Sequence, residues 1–207
     1  MLSKKALTLY LYSDPDNYYS SFTKYDLRAR KVSSIKEYLS NIKKSVSFFS
    51  TFEKQKIRNF ISQIDEKMKY IKINGFDGEK ATRLPWIIGC VIGDLYEDGL
   101  PHTRNNVIIL PRDCIDIETL IHEKVHVYQK IYKEEMKEYL KQFEKEPRHE
   151  LSRANPDIDN WIYSKNGKRF SCVYRSKNPK SIQDVVGKYE HPFEILAENV
   201  TNLLLHM

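Results

Sequence analysis

With 7 glycines and 8 prolines in 207 residues, the chain has no Pro/Gly/Ser-rich stretch that would serve as a linker, and its length suits one well-formed core. The expectation is a single domain over residues 1–207, its mainly helical part to residue 80 packed on a core from residue 81. No apolar run approaches the length of a membrane-spanning helix, so no membrane partner is expected. The opening stretch Lys4-Lys5-Ala6-Leu7-Thr8-Leu9 faintly resembles a signal peptide, but it is short and no small-residue cleavage site follows; a leading strand or helix edge is expected instead. Cysteine is also scarce. Cys90, Cys114 and Cys172 are odd in number and far apart, which excludes a disulfide framework or a C-x-x-C metal knuckle and points to a reducing, cytoplasmic setting. The formal charge is +6, yet 34 Lys and Arg are interleaved with 28 Asp and Glu, with no long basic run. That pattern favours a solvated basic surface over a dedicated nucleic-acid face, leaving acidic peptides or nucleic-acid-associated substrates open.

What is present begins with helices. Residues to about Lys31 are rich in tyrosine and turn formers and show no clean period. From Ser34, Ser34-x-x-Glu37 is a capping signature, and Ile35, Leu39, Ile42, Val46 and Phe49 form an apolar stripe. Ser50-x-x-Glu53 repeats the signature, with Phe52, Ile57, Phe60, Ile61, Ile64 and Met68 carrying the stripe behind it. The two predict an antiparallel helical hairpin or one long bent helix. Trp86 to Ile92 and Asn106 to Leu110 are short, β-branched runs that read as buried strands. Asp116 caps the next helix, and the charged segment Lys133 to Glu146 is expected to prolong it until Pro147. Asn166-Gly167 lies between two strand-like runs and predicts a β-hairpin. Pro192 opens a last helix whose buried face is Phe193, Leu196, Ala197, Val200, Leu203 and Leu204. The fold class expected is α+β.

The helix after Asp116 carries His122-Glu123-Lys124-Val125-His126, the pattern H-E-x-x-H. From this chain's own composition such a pattern would arise by chance about 0.02 times. On a helix, His122 and His126 lie one turn apart on one face, where two imidazoles can hold one Zn²⁺ and Glu123 can reach a water beside it. Ile117, Leu120, Ile121, Val125, Tyr128, Ile131 and Tyr132 fall on the opposite side. One face packs while the other lines a cleft. The reading is a zinc-dependent peptidase with one Zn²⁺ per chain and Glu123 as general base.

A catalytic zinc needs a third protein ligand. Glu194 is the leading candidate. It stands one turn from Glu198 on the last helix, so one carboxylate can coordinate while the other accepts the outward N–H of a ligand histidine. His149, His191, Glu190 and Asp157 are the rivals. Gln129, three residues past His126, is a further second-layer candidate.

From about Trp86 onward the chain resembles the gluzincins, the thermolysin-like clan of zinc metallopeptidases, in its H-E-x-x-H-x-x-Q order (His122 to Gln129) and its later P-x-E-x-x-A (Pro192 to Ala197). The resemblance implies a zincin-like core of small β-sheet, H-E-x-x-H helix and Glu-bearing helix. It also implies His122, His126 and Glu194 as metal ligands, Glu123 as base and Glu198 as acidic partner. In such enzymes a strand before the metal helix borders the cleft and pairs with extended substrate, a role that would fall here to Asn106, Val107, Ile108 and Ile109, unless they form an internal strand. Candidates for a further oxyanion donor are Tyr163, Tyr174, Tyr189, His102, His149 and His191. A non-catalytic zinc module serving as a binding platform, a latent peptidase, a peptidase acting on nucleic-acid-associated proteins and a hydrolase of other amides or esters are the alternatives. The sequence is silent on oligomeric state.

Overall fold

Two continuously apolar runs, Ile87–Val91 and Val107–Pro111, pair in parallel at the centre of the molecule, Ile88 opposite Ile108 and Cys90 opposite Leu110. Strands covered on both faces need no polar alternation, which is why neither run has one. The computed structural model describes residues 1–147, 154–156, 158–159, 161–186 and 191–207. The helices are α1 (Lys4–Ser13), α2 (Lys24–Ala29), α3 (Ile35–Ser45), α4 (Thr51–Met68), α5 (Gly78–Arg83), α6 (Ile117–Ile131), α7 (Lys133–Leu140) and α8 (Pro192–Leu205). The strands are β1 (Lys72–Ile73), β2 (Phe76–Asp77), β3 (Ile87–Val91), β4 (His102–Arg104), β5 (Val107–Pro111), β6 (Glu144–Pro147), β7 (Trp161–Lys165), β8 (Lys168–Phe170), β9 (Val173–Tyr174) and β10 (Val185–Val186). The architecture is α+β.

The central sheet has the order β3-β5-β4, and β4 runs antiparallel to β5. Its alternate residues serve two different cores. Ile88, Cys90, Ile108 and Leu110 pack with Ile57 and Ile64 of α4, Leu120, Ile121 and Val125 of α6, and Leu196, Ala197 and Val200 of α8. Val91, Val107 and Ile109 point the other way, to Leu7 and Leu11 of α1 and Tyr38 and Ile42 of α3. The expected α3–α4 hairpin is therefore corrected: both helices form, with Ser34 and Ser50 as their caps, but they lie on opposite faces of the sheet. The segment between them runs along the outer edge of β3, where Val46 bridges Val91 and the Ser47 N–H donates to the Cys90 carbonyl at 2.9 Å. Stripe and cap define a helix; they do not say which face of a sheet it covers.

Of the strand or helix edge expected at the N-terminus, the helix forms: Ser3 caps α1, its hydroxyl accepting from the Ala6 N–H. Two further expectations change. The helix bearing His122 and His126 does not continue to Glu146. It stops at Ile131, Tyr132 leaves helical geometry at φ −94 and ψ 56, α7 follows, and β6 then pairs antiparallel with β7. Pro147 is tolerated there because β6 is the sheet edge, where a missing N–H costs no ladder bond. Finally, Asn106 to Ile109 are not a free edge. Asn106 sits in the turn after β4, and Val107, Ile108 and Ile109 lie in β5, flanked by strands on both sides. The Asn166-Gly167 hairpin forms as expected, with positive φ at both residues (51 and 74). No helix among the described residues is long and apolar enough to cross a membrane.

Candidate metal centre and cleft

Two helices build the centre. Asp116 starts α6, its carboxylate accepting from the Thr119 N–H at 2.7 Å. Leu120, Ile121, Val125 and Tyr128 are buried and fix the rotation of α6, which turns His122 and His126 toward α8. Pro192 at the first position of α8, with the His191 side chain accepting from the Phe193 N–H, places Glu194 in that helix's first turn. The two helices pack against each other.

His122 Nε2 lies 3.0 Å from His126 Nε2 and 3.2 Å from Glu194 Oε2, and His126 Nε2 lies 3.5 Å from Glu194 Oε1. All three side chains can offer a ligand atom within 4.8 Å of the others. Ligand atoms held tetrahedrally at zinc bond lengths stand about 3.3 Å apart, so these separations fit a shared metal. The rotamer of His126 fits too. The amide of Gln129 donates through Nε2 to the Phe193 carbonyl at 2.9 Å, which leaves its Oε1 facing His126 Nδ1 at 2.8 Å. A carbonyl cannot donate, so Nδ1 carries the proton and Nε2 keeps a lone pair for the centre. Burial disfavours a charge on His126, but the carboxylate of Glu194 overrides it and lifts the pKa to about 9, so at neutral pH Nε2 also holds a proton, the one a metal ligated there would displace. Burial would likewise raise the carboxyl of Glu194; the two histidines hold it well below the usual range.

Glu123 is 4% exposed. The Thr103 hydroxyl in β4 donates to Glu123 Oε2 at 2.7 Å and lies 3.1 Å from the backbone carbonyl of Glu123. The back of α6 is anchored by Lys124, fully buried, whose ammonium donates to the Leu84 carbonyl at 2.6 Å over the ring of Trp86.

His122, Glu123, His126 and Glu194 open onto a cleft of ≈ 490 Å³. Its walls come from β4 and the loop before it, from α7, and from segments around Asn155 and Gln183. Gln129 reaches the position expected of it. Glu198 does not: it is exposed on α8, with no bond to either histidine among the described residues. His191 is buried as the cap of α8 rather than coordinating. Of the described donor candidates only His102 lines the cleft, and its nitrogens are engaged by the Tyr96 hydroxyl at 3.0 Å and the Leu100 carbonyl at 3.1 Å. His149, Asp157, Tyr189 and Glu190 lie outside the described residues. The residue that sequence reasoning missed is Thr103. Its signal was the Asn105-Asn106 turn, which makes the residues before it a strand antiparallel to β5 and so a neighbour of α6.

Comparison of the chain with known family models, with curated proteins and with solved structures finds no match.

Proposed function

We propose that the chain is a zinc-dependent peptidase of the gluzincin type, with a zincin-like core made of the β3-β5-β4 sheet, α6 and α8. The observation that carries this reading is the convergence of His122, His126 and Glu194 at zinc-like separations with Glu123 beside them in one cleft. Three ligands and no fourth among the described residues suit a site with an open position, and a purely structural zinc site has no use for Glu123.

Bound there, zinc supplies a Lewis acid that polarises a carbonyl and makes a water more acidic. Glu123 takes a proton from the attacking water as its oxygen bonds to the scissile carbon. It returns that proton to the leaving nitrogen as the C–N bond breaks. Thr103 holds one carboxylate oxygen of Glu123, leaving the other for this transfer. Gln129 keeps the proton of His126 on the nitrogen away from the centre.

The test is one experiment on three proteins. Wild type, Glu123→Gln and Glu194→Ala are analysed for zinc content and for cleavage of a mixed peptide library by mass spectrometry. The expected result is zinc and cleavage in the wild type, zinc without cleavage in Glu123→Gln, and little zinc in Glu194→Ala at neutral pH. Equal cleavage by wild type and Glu123→Gln, or a zinc-loaded wild type that cuts nothing, overturns the reading in favour of a binding module.

A further inference from the structure

Each of the three residues before Glu194 is held by a different part of the molecule. The Phe193 carbonyl accepts from Gln129 of α6 at 2.9 Å, and the Pro192 carbonyl from the Tyr139 hydroxyl of α7 at 3.4 Å. His191, whose own carbonyl accepts from the Glu194 N–H at 3.1 Å, reaches instead to the cleft wall that leads into β7. Its ring meets Tyr163 edge-on with centroids 5.0 Å apart, and its Nε2 stands 3.8 Å from Asp159 Oδ1. We propose that Asp159 is a positioning residue for Glu194, acting through His191 on the first turn of α8; the inference rests on the metal centre of the peptidase reading above.

The tautomer of His191 follows from its cap. Nδ1 accepts from the Phe193 N–H at 3.2 Å, so in the neutral ring the proton sits on Nε2. That nitrogen is buried and has no hydrogen-bond partner among the described residues. A buried donor left in this state is costly, and the carboxylate beside it is the strongest acceptor it could take. An approach of about 1 Å completes the bond. Asp159 is held ready for it. Its Oδ2 accepts from the Tyr163 hydroxyl at 2.6 Å and its Oδ1 from the Trp161 N–H at 3.1 Å, both on β7. Burial would raise its carboxyl; His191, Tyr163 and the Trp161 N–H hold it below the usual range. Asp159 lines the cleft with Asn155 and Ile158, but it is not among the residues that can offer the centre a ligand atom. Its route to the centre is therefore mechanical. Where the wall goes, His191 follows, and the cap of α8 carries that position into the turn that bears Glu194.

The test reads metal binding rather than cleavage. Zinc affinity of the full chain at pH 7 is measured by competition with a chromophoric chelator in wild type, Asp159→Asn, His191→Asn and the double variant. Asparagine at 191 keeps an oxygen to cap α8 but is too short to reach Asp159. Asparagine at 159 keeps the size and removes the charge. Each single variant should bind zinc about tenfold more weakly, and the double variant no more weakly than the worse of the two, since both lose one contact. Tyr163→Phe, which frees the Asp159 carboxylate and leaves α8 untouched, should weaken zinc in the same direction by less. Cobalt(II) bound to Asp159→Asn should show visible bands shifted from those of wild type, a change in ligand arrangement that a general loss of stability does not produce. Circular dichroism checks each fold; if His191→Asn loses its own, Asp159→Asn and Tyr163→Phe decide the matter. Wild-type affinity in Asp159→Asn, losses that multiply in the double variant, or unshifted cobalt bands overturn the proposal and leave the metal centre in place. A wild type that binds no zinc removes the centre and this inference together, whereas a zinc-loaded wild type that cuts no peptide removes the peptidase reading alone.

Discussion

A threonine hydroxyl has one proton, and Thr103 has two acceptors on the same residue within reach. The proton goes to the carboxylate of Glu123 at 2.7 Å rather than to its carbonyl at 3.1 Å, because the charged and shorter partner wins. Both residues are buried, so no water readily replaces that bond. Thr103→Val keeps the shape and removes the donor, freeing Glu123 to rotate. The expected outcome is a fall in kcat of about tenfold or more with KM and zinc content little changed, and recovery in Thr103→Ser. Kinetics on a peptide identified from the library check it; a loss confined to KM, or a serine variant as impaired as the valine one, would mean Thr103 merely fills space.

At the scale of elements, the sequence was most informative where one local rule acts alone. Asp116 and Pro192 marked the starts of the two helices of the candidate metal centre because capping and proline geometry depend on a few adjacent residues. His122, Glu123 and His126 were legible because one helical turn fixes their spacing; Glu194 was picked out by its place one turn from Glu198 and by the resemblance, and it lies beside the histidines although Glu198 does not. Pairing was less legible. Nothing in Val107 to Ile109 says that Thr103 would claim the edge outside them, and nothing in the stripes of α3 and α4 says which core each joins. Gly89 belongs to the same gap. It faces α1, and a Cβ there would stand 2.5 Å from Leu7 Cδ1 and 2.6 Å from its Cδ2; Leu7 is itself fully buried. Gly89→Ala should therefore destabilise by about 1–3 kcal/mol through overpacking. Urea unfolding measures this, and trimming the neighbour in a Gly89→Ala/Leu7→Ala double variant should leave a smaller further loss than Leu7→Ala causes alone.

Across the whole molecule, the tyrosine-rich N-terminal region resisted sequence reading because ion pairs and single hydrogen bonds, rather than a periodic stripe, fasten much of it. Arg104 of β4 is fully buried between Asp14 and Asp16, bonding Asp14 Oδ1 at 2.8 Å and Asp16 Oδ2 at 2.7 Å. Arg30 donates to Glu97 at 2.9 and 2.8 Å, and the hydroxyls of Tyr18 and Tyr38 donate to the same carboxylate. Glu97 and Arg30 also line the cleft, so this network ties the N-terminal helices to the loop that forms a cleft wall. Burial alone would raise the pKa of Glu97; the charge and hydrogen bonds of Arg30, with help from Tyr38, bring it down to about 2. A carboxyl depressed in the folded state contributes stability above its unfolded pKa, near 4.5, and loses that contribution as pH falls toward 2. Urea unfolding of the wild type should therefore weaken between pH 4.5 and 2, with roughly 3 kcal/mol traceable to this one group. Asp16, also depressed by Arg104 against the opposing effect of its burial, slopes in the same direction, so the decisive comparison is with Glu97→Gln. That variant should be less stable than wild type at pH 7, where it leaves the Arg30 charge unpaired, and the gap should narrow steadily toward pH 2. A gap that stays constant across the acid range would mean that Glu97 holds this wall by shape and hydrogen bonding rather than by its charge.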